Sequence, residues 1–280
     1  MRSEYHIENC RHQLPRLIDT IDSAIAAIRP AIEDAKLGHE SRHGFRALFK
    51  FDGAKDYVVD MLLAIATLRP KRALEPWPLQ PTPPQFACAN KNSRNIYPFL
   101  DDHDPWQICQ FSAFAAFYAP DTSYIFLCPR FFFYPVVSQD MTGRNCPGVL
   151  ANQWTPNERN LYEYQTYILI HEMVHFYLQT HSLSGVTIPP EQYGLDGCVA
   201  LNPLNSLHNP TSYQAYIAMV QQGCVQAPDP TRPPYHVPDG HVSTVPGLNI
   251  TYMDEQIAQN GTDFLSTDEN SSTAASVATA

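Results

Sequence analysis

Hydrophobic positions recur at helical spacing in three parts of the chain. Apolar residues between positions 13 and 37 stand three or four apart, which predicts an amphipathic helix with a bend at Pro30. The same spacing predicts helices from Gly53 to Leu68 and from Thr211 to Gln222. In the helix that starts at Gly53, the side chains expected to face inward are Tyr57, Val58, Met61, Leu62 and Ile65.

Short apolar or aromatic runs in the middle of the chain are typical of strands. They cover Gln85 to Ala89, Ala113 to Tyr118 and Ser123 to Cys128, and several are bounded by Pro, Asp or Asn. We expect these runs to form a small antiparallel sheet that packs beside a later helix. N-terminal helices followed by such a sheet predict an α+β fold.

Composition limits the number of domains and the kinds of partner. Hydrophobic residues occupy 44% of the 280 positions, which is enough for the core of one domain plus extensions. Charged residues are only 16%, the net charge is -10 and no basic patch is visible, so we expect no nucleic-acid partner. No apolar run approaches the roughly 18 residues that a membrane span requires.

The composition changes near residue 226, where we place the end of the folded domain. Prolines crowd the following stretch, and Ser266 to Ala280 is rich in Ser, Thr and Ala. We therefore predict one folded domain over residues 1–226. Residues 227–280 are predicted to form a Pro-rich linker and a glycosylated tail.

One apolar segment carries the residues of a metal site. His171 and His175 stand four apart with Glu172 beside the first, in the motif H-E-x-x-H. A helical turn takes about 3.6 residues, so the two imidazoles converge on one point, where Glu172 can reach a bound water. A capping box at residues 155–158 predicts the start of this helix, which we expect to end near Ser182. The motif is typical of zinc hydrolases, in which the glutamate is the general base.

A catalytic zinc ion takes three protein ligands, so a third must follow the two histidines. The candidates are His181, Glu191 and Asp196. His181 has the spacing of metzincins, but neither Gly nor Pro breaks the predicted helix before it, which leaves it about 9 Å further along the axis. Asp196 stands about one helical turn after Tyr193, so the two side chains could share one face. Glu191 lies in the loop between these two positions.

The loop after the predicted helix carries Glu191 and then Tyr193-Gly194, and the segments Val199-Ala200-Leu201 and N-P-T-S-Y (209–213) follow. This arrangement resembles the deuterolysin-type (aspzincin) zinc metallopeptidases, whose motif reads G-T-x-D-x-x-Y-G. The aspartate of the motif is not matched, because Pro190 stands in its place and Glu191 is the nearest acid. The resemblance implies a zincin-like metallopeptidase fold, Glu191 as the third zinc ligand, and Tyr193 close to the metal.

Two further readings bear on this resemblance. Tyr193 could instead be a core tyrosine with a satisfied hydroxyl group. Some members of the family cut before lysine and use acids near the pocket, one of them in a segment N-A-D-x-Y. Thr211 stands at that place here, so lysine selectivity is not expected.

The seven cysteines predict disulfides rather than a thiolate metal site, because no C-x-x-C pair occurs. The resemblance implies the pairs Cys10–Cys88, Cys109–Cys128 and Cys146–Cys224, with Cys198 free. Disulfides fit a secreted chain, and so do three N-x-[ST] sequons, which begin at Asn249, Asn260 and Asn270. The N-terminus of this sequence has no apolar segment typical of a signal peptide.

Together these patterns predict a secreted, zinc-dependent endopeptidase that acts on protein or peptide substrates. Zn²⁺ is held by His171, His175 and Glu191, while Glu172 is the base and Tyr193 donates a hydrogen bond to the oxyanion. The alternative is a secreted zinc-binding or interaction protein on a peptidase fold, with little or no catalysis. The unmatched aspartate motivates the alternative, whereas the intact H-E-x-x-H favours the enzyme, because a protein that only sequesters zinc has no use for Glu172.

Overall fold

The structure, a computed structural model, describes residues 6–68, 83–92, 104–111, 114–119, 123–136, 164–178 and 191–224. Strand β1 (Ile7–Glu8) precedes helices α1 (Leu14–Ala35), α2 (Phe45–Phe49) and α3 (Lys55–Thr67). The middle of the chain holds β2 (Gln85–Cys88), α4 (Pro105–Phe111), β3 (Ala116–Tyr118) and β4 (Tyr124–Leu127). Helices α5 (Gln165–Leu178), α6 (Leu195–Ala200), α7 (Pro203–Leu207) and α8 (Pro210–Gln222) follow. Short 3₁₀ helices cover Gly38–Glu40, Asp52–Ala54 and Pro129–Phe133.

Helix α1 confirms the amphipathic helix predicted between residues 13 and 37, and Pro30 lies inside it. Its apolar stripe, which includes Leu17, Ile21 and Ile28, is fully buried against α3, α5 and α8. Burial of each such side chain stabilises the fold by about 1.5–3 kcal/mol. The helix therefore anchors one side of the core.

The two other helices predicted from spacing are also confirmed. In α3, the side chains expected to face inward are all buried: Tyr57, Val58, Met61, Leu62 and Ile65. Helix α8 ends at Gly223, whose φ of 68° lies in the left-handed region that glycine adopts without strain. Both ends of α8 lie within one residue of the predicted ends.

The four-stranded sheet is mixed, so the prediction of an antiparallel sheet is wrong. Its order is β1-β2-β4-β3, and the pairs β1–β2 and β2–β4 are parallel. The connection from β1 to β2 contains α1 to α3, and the described part of the connection from β2 to β4 contains α4 and β3. Long crossovers of this kind return the chain to the same end of the sheet. Only β3 and β4, which follow each other closely along the chain, pair antiparallel. Strand β3 is thereby an edge of the described sheet.

Helix α5 lies at the centre of the fold, between the helices α1, α3 and α8 and the strands β3 and β4. All of its residues are buried except His175, which is partly exposed. An all-round apolar helix of this kind belongs in a core. A histidine pair and a glutamate are therefore placed in a largely dry environment.

The start of α5 differs from the prediction. The residue before it, Tyr164, is not helical, and the backbone N–H of Gln165 donates to the carbonyl of Pro135 at 2.9 Å. The N–H of Gln165 has no partner within the helix, because it lies in the first turn. The distant loop that carries Pro135 supplies its acceptor instead of a capping side chain. The predicted capping box at residues 155–158 and the predicted end near Ser182 lie outside the described residues.

Two of the three disulfides implied by the resemblance are present, Cys10–Cys88 and Cys109–Cys128. Cys224 is disulfide-bonded as well, and the partner predicted for it, Cys146, lies outside the described residues. Cys198 is free, as the resemblance implies, and it is buried. Disulfides of this kind persist in oxidising compartments, so they are compatible with an extracellular location.

No helix in the part of the chain that the structure describes is long and apolar enough to cross a membrane. The predicted linker and tail, residues 227–280, lie outside the described residues. The boundary near residue 226 therefore stays a prediction.

Candidate metal centre

The two histidines of H-E-x-x-H converge on one point. Helix α5 places His171 and His175 one turn apart, and their Nε2 atoms are separated by 3.1 Å. Their rings lie 4.8 Å apart between centroids and are steeply inclined to each other, so they do not stack. This is the geometry that the spacing in the sequence predicts.

Glu191 brings one carboxylate oxygen to each of these histidines. Its Oε1 lies 3.2 Å from Nε2 of His171, and its Oε2 lies 3.2 Å from Nε2 of His175. Two ligands on a tetrahedral zinc ion, each at about 2.0–2.1 Å, lie about 3.3 Å apart. The three residues form a group that could hold a metal ion, and their separations fit one.

Neither of the other two candidates for the third ligand has a side chain in the described part of the structure. His181 lies outside the described residues. Asp196 belongs to helix α6, but its side chain lies outside the described part of the structure. Within that part, His171, His175 and Glu191 form the group with metal-ligand spacing.

Gln214 of helix α8 orients the His171 ring. Its Nε2 donates to the carbonyl of Tyr167 at 3.1 Å, which turns its Oε1 towards Nδ1 of His171 at 3.3 Å. An amide oxygen can only accept, so Nδ1 carries the proton and Nε2 keeps its lone pair. Burial, and then the neighbouring His175, lower the pKa of His171, which keeps the ring neutral as a metal ligand requires.

The carboxylate of Glu191 is held ionised. Burial raises the pKa of Glu191, but hydrogen bonds from His175 and Tyr193 and attraction to the protonated forms of the two histidines outweigh it and bring the pKa to about 2. Thr211 adds a hydrogen bond from its hydroxyl group to Oε1 at 3.0 Å. An acid fixed by several donors presents its remaining lone pairs in one direction.

Glu172 is buried beside the histidines and has a fixed orientation. Its Oε2 accepts a hydrogen bond from the backbone N–H of Tyr118 in β3 at 2.8 Å. Burial raises the pKa of Glu172 to about 7, although attraction to the protonated form of His171 and the hydrogen bond from the Tyr118 N–H act in the opposite sense. A carboxyl group with a pKa near neutrality is suited to take and return a proton.

Tyr193 is not a core residue, so that alternative reading of it is wrong. It is 60% exposed, and its ring stacks over that of His171 at a centroid distance of 6.3 Å. Its hydroxyl group reaches Glu191, with which it forms a hydrogen bond. The residue therefore stands at the solvent-facing side of the candidate metal centre.

These residues line a cleft of about 450 Å³. The remaining lining comes from Tyr134, Ile168, Gln214 and residues 114–118. The volume lies in the range of about 300–1,000 Å³ that is typical of ligand sites. Buried titratable groups at the wall of such a cleft are typical of a reactive centre.

Sequence analysis assigned no role in the site to Asn209, Gln214 or Tyr118. Asn209 and Gln214 are polar positions in a segment that contains two Tyr and two Ala, which is a weak signal, because a polar residue on a helix usually faces solvent. Tyr118 acts through its backbone N–H, which has no sequence signal at all.

The fold and the site together define an α+β protein with a candidate metal centre of two histidines and one glutamate on the wall of a cleft. A scan against protein-family models finds no match to the chain, and a search of curated proteins finds none either. The resemblance to deuterolysin-type peptidases thus stays a prediction from motifs.

Proposed function

We propose that the protein is a secreted, zinc-dependent endopeptidase. One observation carries the proposal. The Nε2 atoms of His171 and His175 lie 3.1 Å apart, each lies 3.2 Å from one oxygen of Glu191, and the buried carboxyl group of Glu172 is on the same helix as the two histidines. A site that only stores a metal needs the three ligands and not Glu172. Burial of the Glu172 carboxyl group costs free energy of folding, which a chemical role for this group would explain.

His171, His175 and Glu191 would hold the ion. Two imidazoles and one carboxylate are the ligand set of several catalytic zinc sites, whereas magnesium and calcium prefer oxygen donors alone. When bound, zinc supplies a Lewis acid that polarises the substrate carbonyl and lowers the pKa of a coordinated water. The partly exposed edge of His175 and the cleft beside it leave a side from which water and substrate can approach.

Glu172 would be the general base and acid. It takes the proton of the attacking water as the C–O bond forms and delivers it to the amine nitrogen as the C–N bond breaks. The hydrogen bond from Tyr118 holds one carboxyl oxygen, which leaves the other directed to this task. Tyr193 would turn its hydroxyl group from Glu191 to the oxyanion of the tetrahedral intermediate.

A peptide substrate fits the position of β3 at the edge of the sheet. The backbone N–H of Tyr118 points away from β4 towards Glu172, so this edge of the strand faces the candidate centre. An extended peptide can pair with such an edge through its main chain. The scissile bond would then lie along the wall that carries the metal centre.

Metal analysis and peptide hydrolysis test this function together. Purified full-length protein should contain about one zinc per chain, lose hydrolysis on chelation, and regain it when zinc is added back. Zinc without hydrolysis of any peptide would favour the alternative, a secreted zinc-binding or interaction protein. Absence of stoichiometric metal after zinc loading would reject both.

A further inference from the structure

The carboxylate of Glu191 offers two oxygens to a single metal ion. Oε1 lies 3.2 Å from Nε2 of His171, and Oε2 lies 3.2 Å from Nε2 of His175, so each oxygen is close enough to share an ion with a histidine nitrogen. A catalytic zinc ion needs three protein ligands and one further position for water. If both oxygens of Glu191 bound the ion, the second oxygen would compete with water for that position.

Thr211 is a partner of Oε1 that does not belong to the group of ligands. Its hydroxyl group donates to Oε1 at 3.0 Å, and the residue is fully buried in the first turn of α8. A hydrogen bond to an ionised oxygen is roughly twice as strong as one between neutral groups. Movement of Oε1 towards an ion would lengthen this bond and leave a buried hydroxyl group without its acceptor. The contact therefore favours Oε2 as the atom that binds the ion.

The other hydroxyl partner of Glu191 has different surroundings. Tyr193 also forms a hydrogen bond with Glu191, but its side chain is 60% exposed and its ring stacks over that of His171. In the proposed reaction, the Tyr193 hydroxyl group leaves Glu191 for the oxyanion. Thr211 is enclosed, and a buried β-branched side chain has little rotational freedom. Thr211 is thus the hydroxyl partner that remains on Glu191 during the reaction.

We propose that Thr211 is a positioning residue that holds Glu191 to one metal-binding oxygen and so keeps a position open for water. The inference rests on the proposed zinc peptidase function. Thr211 acts through Glu191, because it is not among the residues that line the cleft. Without the Thr211 hydroxyl group, both oxygens of Glu191 would bind the ion. The metal would then be held at least as tightly, whereas peptide hydrolysis would be slower.

Thr211→Val tests this role, because valine keeps the shape of the side chain and removes the hydroxyl group. Zinc affinity of the full chain, measured by competition with a chelator, should equal or exceed that of the wild type. The value of kcat should fall by about 10- to 100-fold, the usual effect of losing the partner of a metal ligand. A fall in zinc affinity together with kcat would mean that Thr211 only supports the loop, and would overturn the inference.

Two further substitutions at the same position control for the folding of Thr211→Val. Thr211→Ser keeps the hydroxyl group and should restore most of the lost kcat. Thr211→Ala lacks the hydroxyl group and introduces no branched side chain, so it should repeat both results of Thr211→Val. A serine variant as slow as the valine variant would contradict the role of the hydroxyl group.

Azide binding to the cobalt(II)-loaded chain shows whether a position is open, without any turnover. Cobalt(II) takes the same nitrogen and oxygen donors as zinc, and its visible spectrum changes when a small anion becomes a ligand. Azide should bind Thr211→Val about tenfold or more weakly than the wild type, the effect expected from one hydrogen bond to a charged group. Equal azide affinities would reject the inference and leave the peptidase function intact. A weaker affinity in Thr211→Val, in a protein that hydrolyses no peptide, would reject the peptidase function and keep the role of Thr211.

Thr166→Val makes the same change at a position that does not line the cleft. Thr166 is fully buried on the metal-binding helix α5, and its hydroxyl group is hydrogen-bonded to that of Ser23 in α1 at 3.1 Å. Its kcat and azide affinity should therefore match those of the wild type. Losses of equal size in Thr166→Val and Thr211→Val would show a general effect of a lost buried hydrogen bond and contradict the assignment to Thr211.

Discussion

The side chain of Asn209 pairs with both backbone polar groups of Gln192, the residue directly after Glu191. Its Oδ1 accepts from the Gln192 N–H at 3.0 Å, and its Nδ2 donates to the Gln192 carbonyl at 3.2 Å. Asn209 is only 4% exposed, so these bonds are shielded from water. The pairing ties the loop of Glu191 to the start of α8, the helix that also carries Thr211 and Gln214.

Asn209→Ala should weaken the candidate metal centre without touching any donor atom. Loss of the amide frees the Glu191 loop and removes two hydrogen bonds to the backbone of Gln192, at a cost of about 1–3 kcal/mol in the free energy of unfolding. Zinc affinity, measured by competition with a chelator, should fall by about tenfold or more. Asn209→Asp keeps the acceptor and loses the donor, so its affinity should lie between those of Asn209→Ala and the wild type. An unchanged affinity in Asn209→Ala would contradict this positioning role.

His171→Ala and His175→Ala should each lose both zinc and hydrolysis, because two remaining donors do not hold a catalytic ion. Metal content by mass spectrometry and peptide turnover are the measurements. Full activity in either variant would end the zinc-peptidase proposal. Circular dichroism of each variant checks that the fold is retained.

Glu191→Ala distinguishes the third ligand from its competitors. It should reduce zinc affinity by more than about tenfold, whereas Asp196→Ala and His181→Ala should leave it close to that of the wild type. Metal titration of the three variants decides the matter. A large loss in Asp196→Ala would move the ligand into α6, and one in His181→Ala would indicate a metzincin-like turn after α5.

Glu172→Gln should separate chemistry from metal binding. The amide keeps the size of the side chain and removes the base, so zinc should stay while kcat falls by about two to four orders of magnitude. The measurement compares the single-turnover hydrolysis rates of the variant and the wild type at equal zinc loading. A rate equal to that of the wild type would mean that another group activates the water.

The thiol of Cys198 should be unreactive in the native protein. Burial chiefly raises the pKa of Cys198 to about 11, against which hydrogen bonds from Ser212 and Asn209 act only in part. At pH 8 the thiolate is then about one part in a thousand, and the sulfur is inaccessible as well. A chromogenic thiol reagent should label Cys198 only after denaturation, where the pKa returns to about 8.5. Rapid labelling of the folded chain would contradict the buried position.

Much of the local structure follows from the spacing of apolar residues. Helices α1, α3 and α8 were predicted closely, because amphipathic spacing is a property of each segment alone. The direction of strand pairing was not predicted correctly, because it depends on how α1 to α3 return the chain between β1 and β2. Strand β1, which covers only Ile7–Glu8, is too short to show any pattern.

The sequence by itself determined the position of His171, Glu172 and His175 relative to one another, because one helical turn sets that geometry wherever the helix lies. Only the tertiary structure brought Glu191 to them and placed Thr211, Gln214 and the Tyr118 N–H around the group. Those contacts arise where α8 and β3 both pack against α5. Packing between distant segments follows from burial of the whole core, which no single motif encodes.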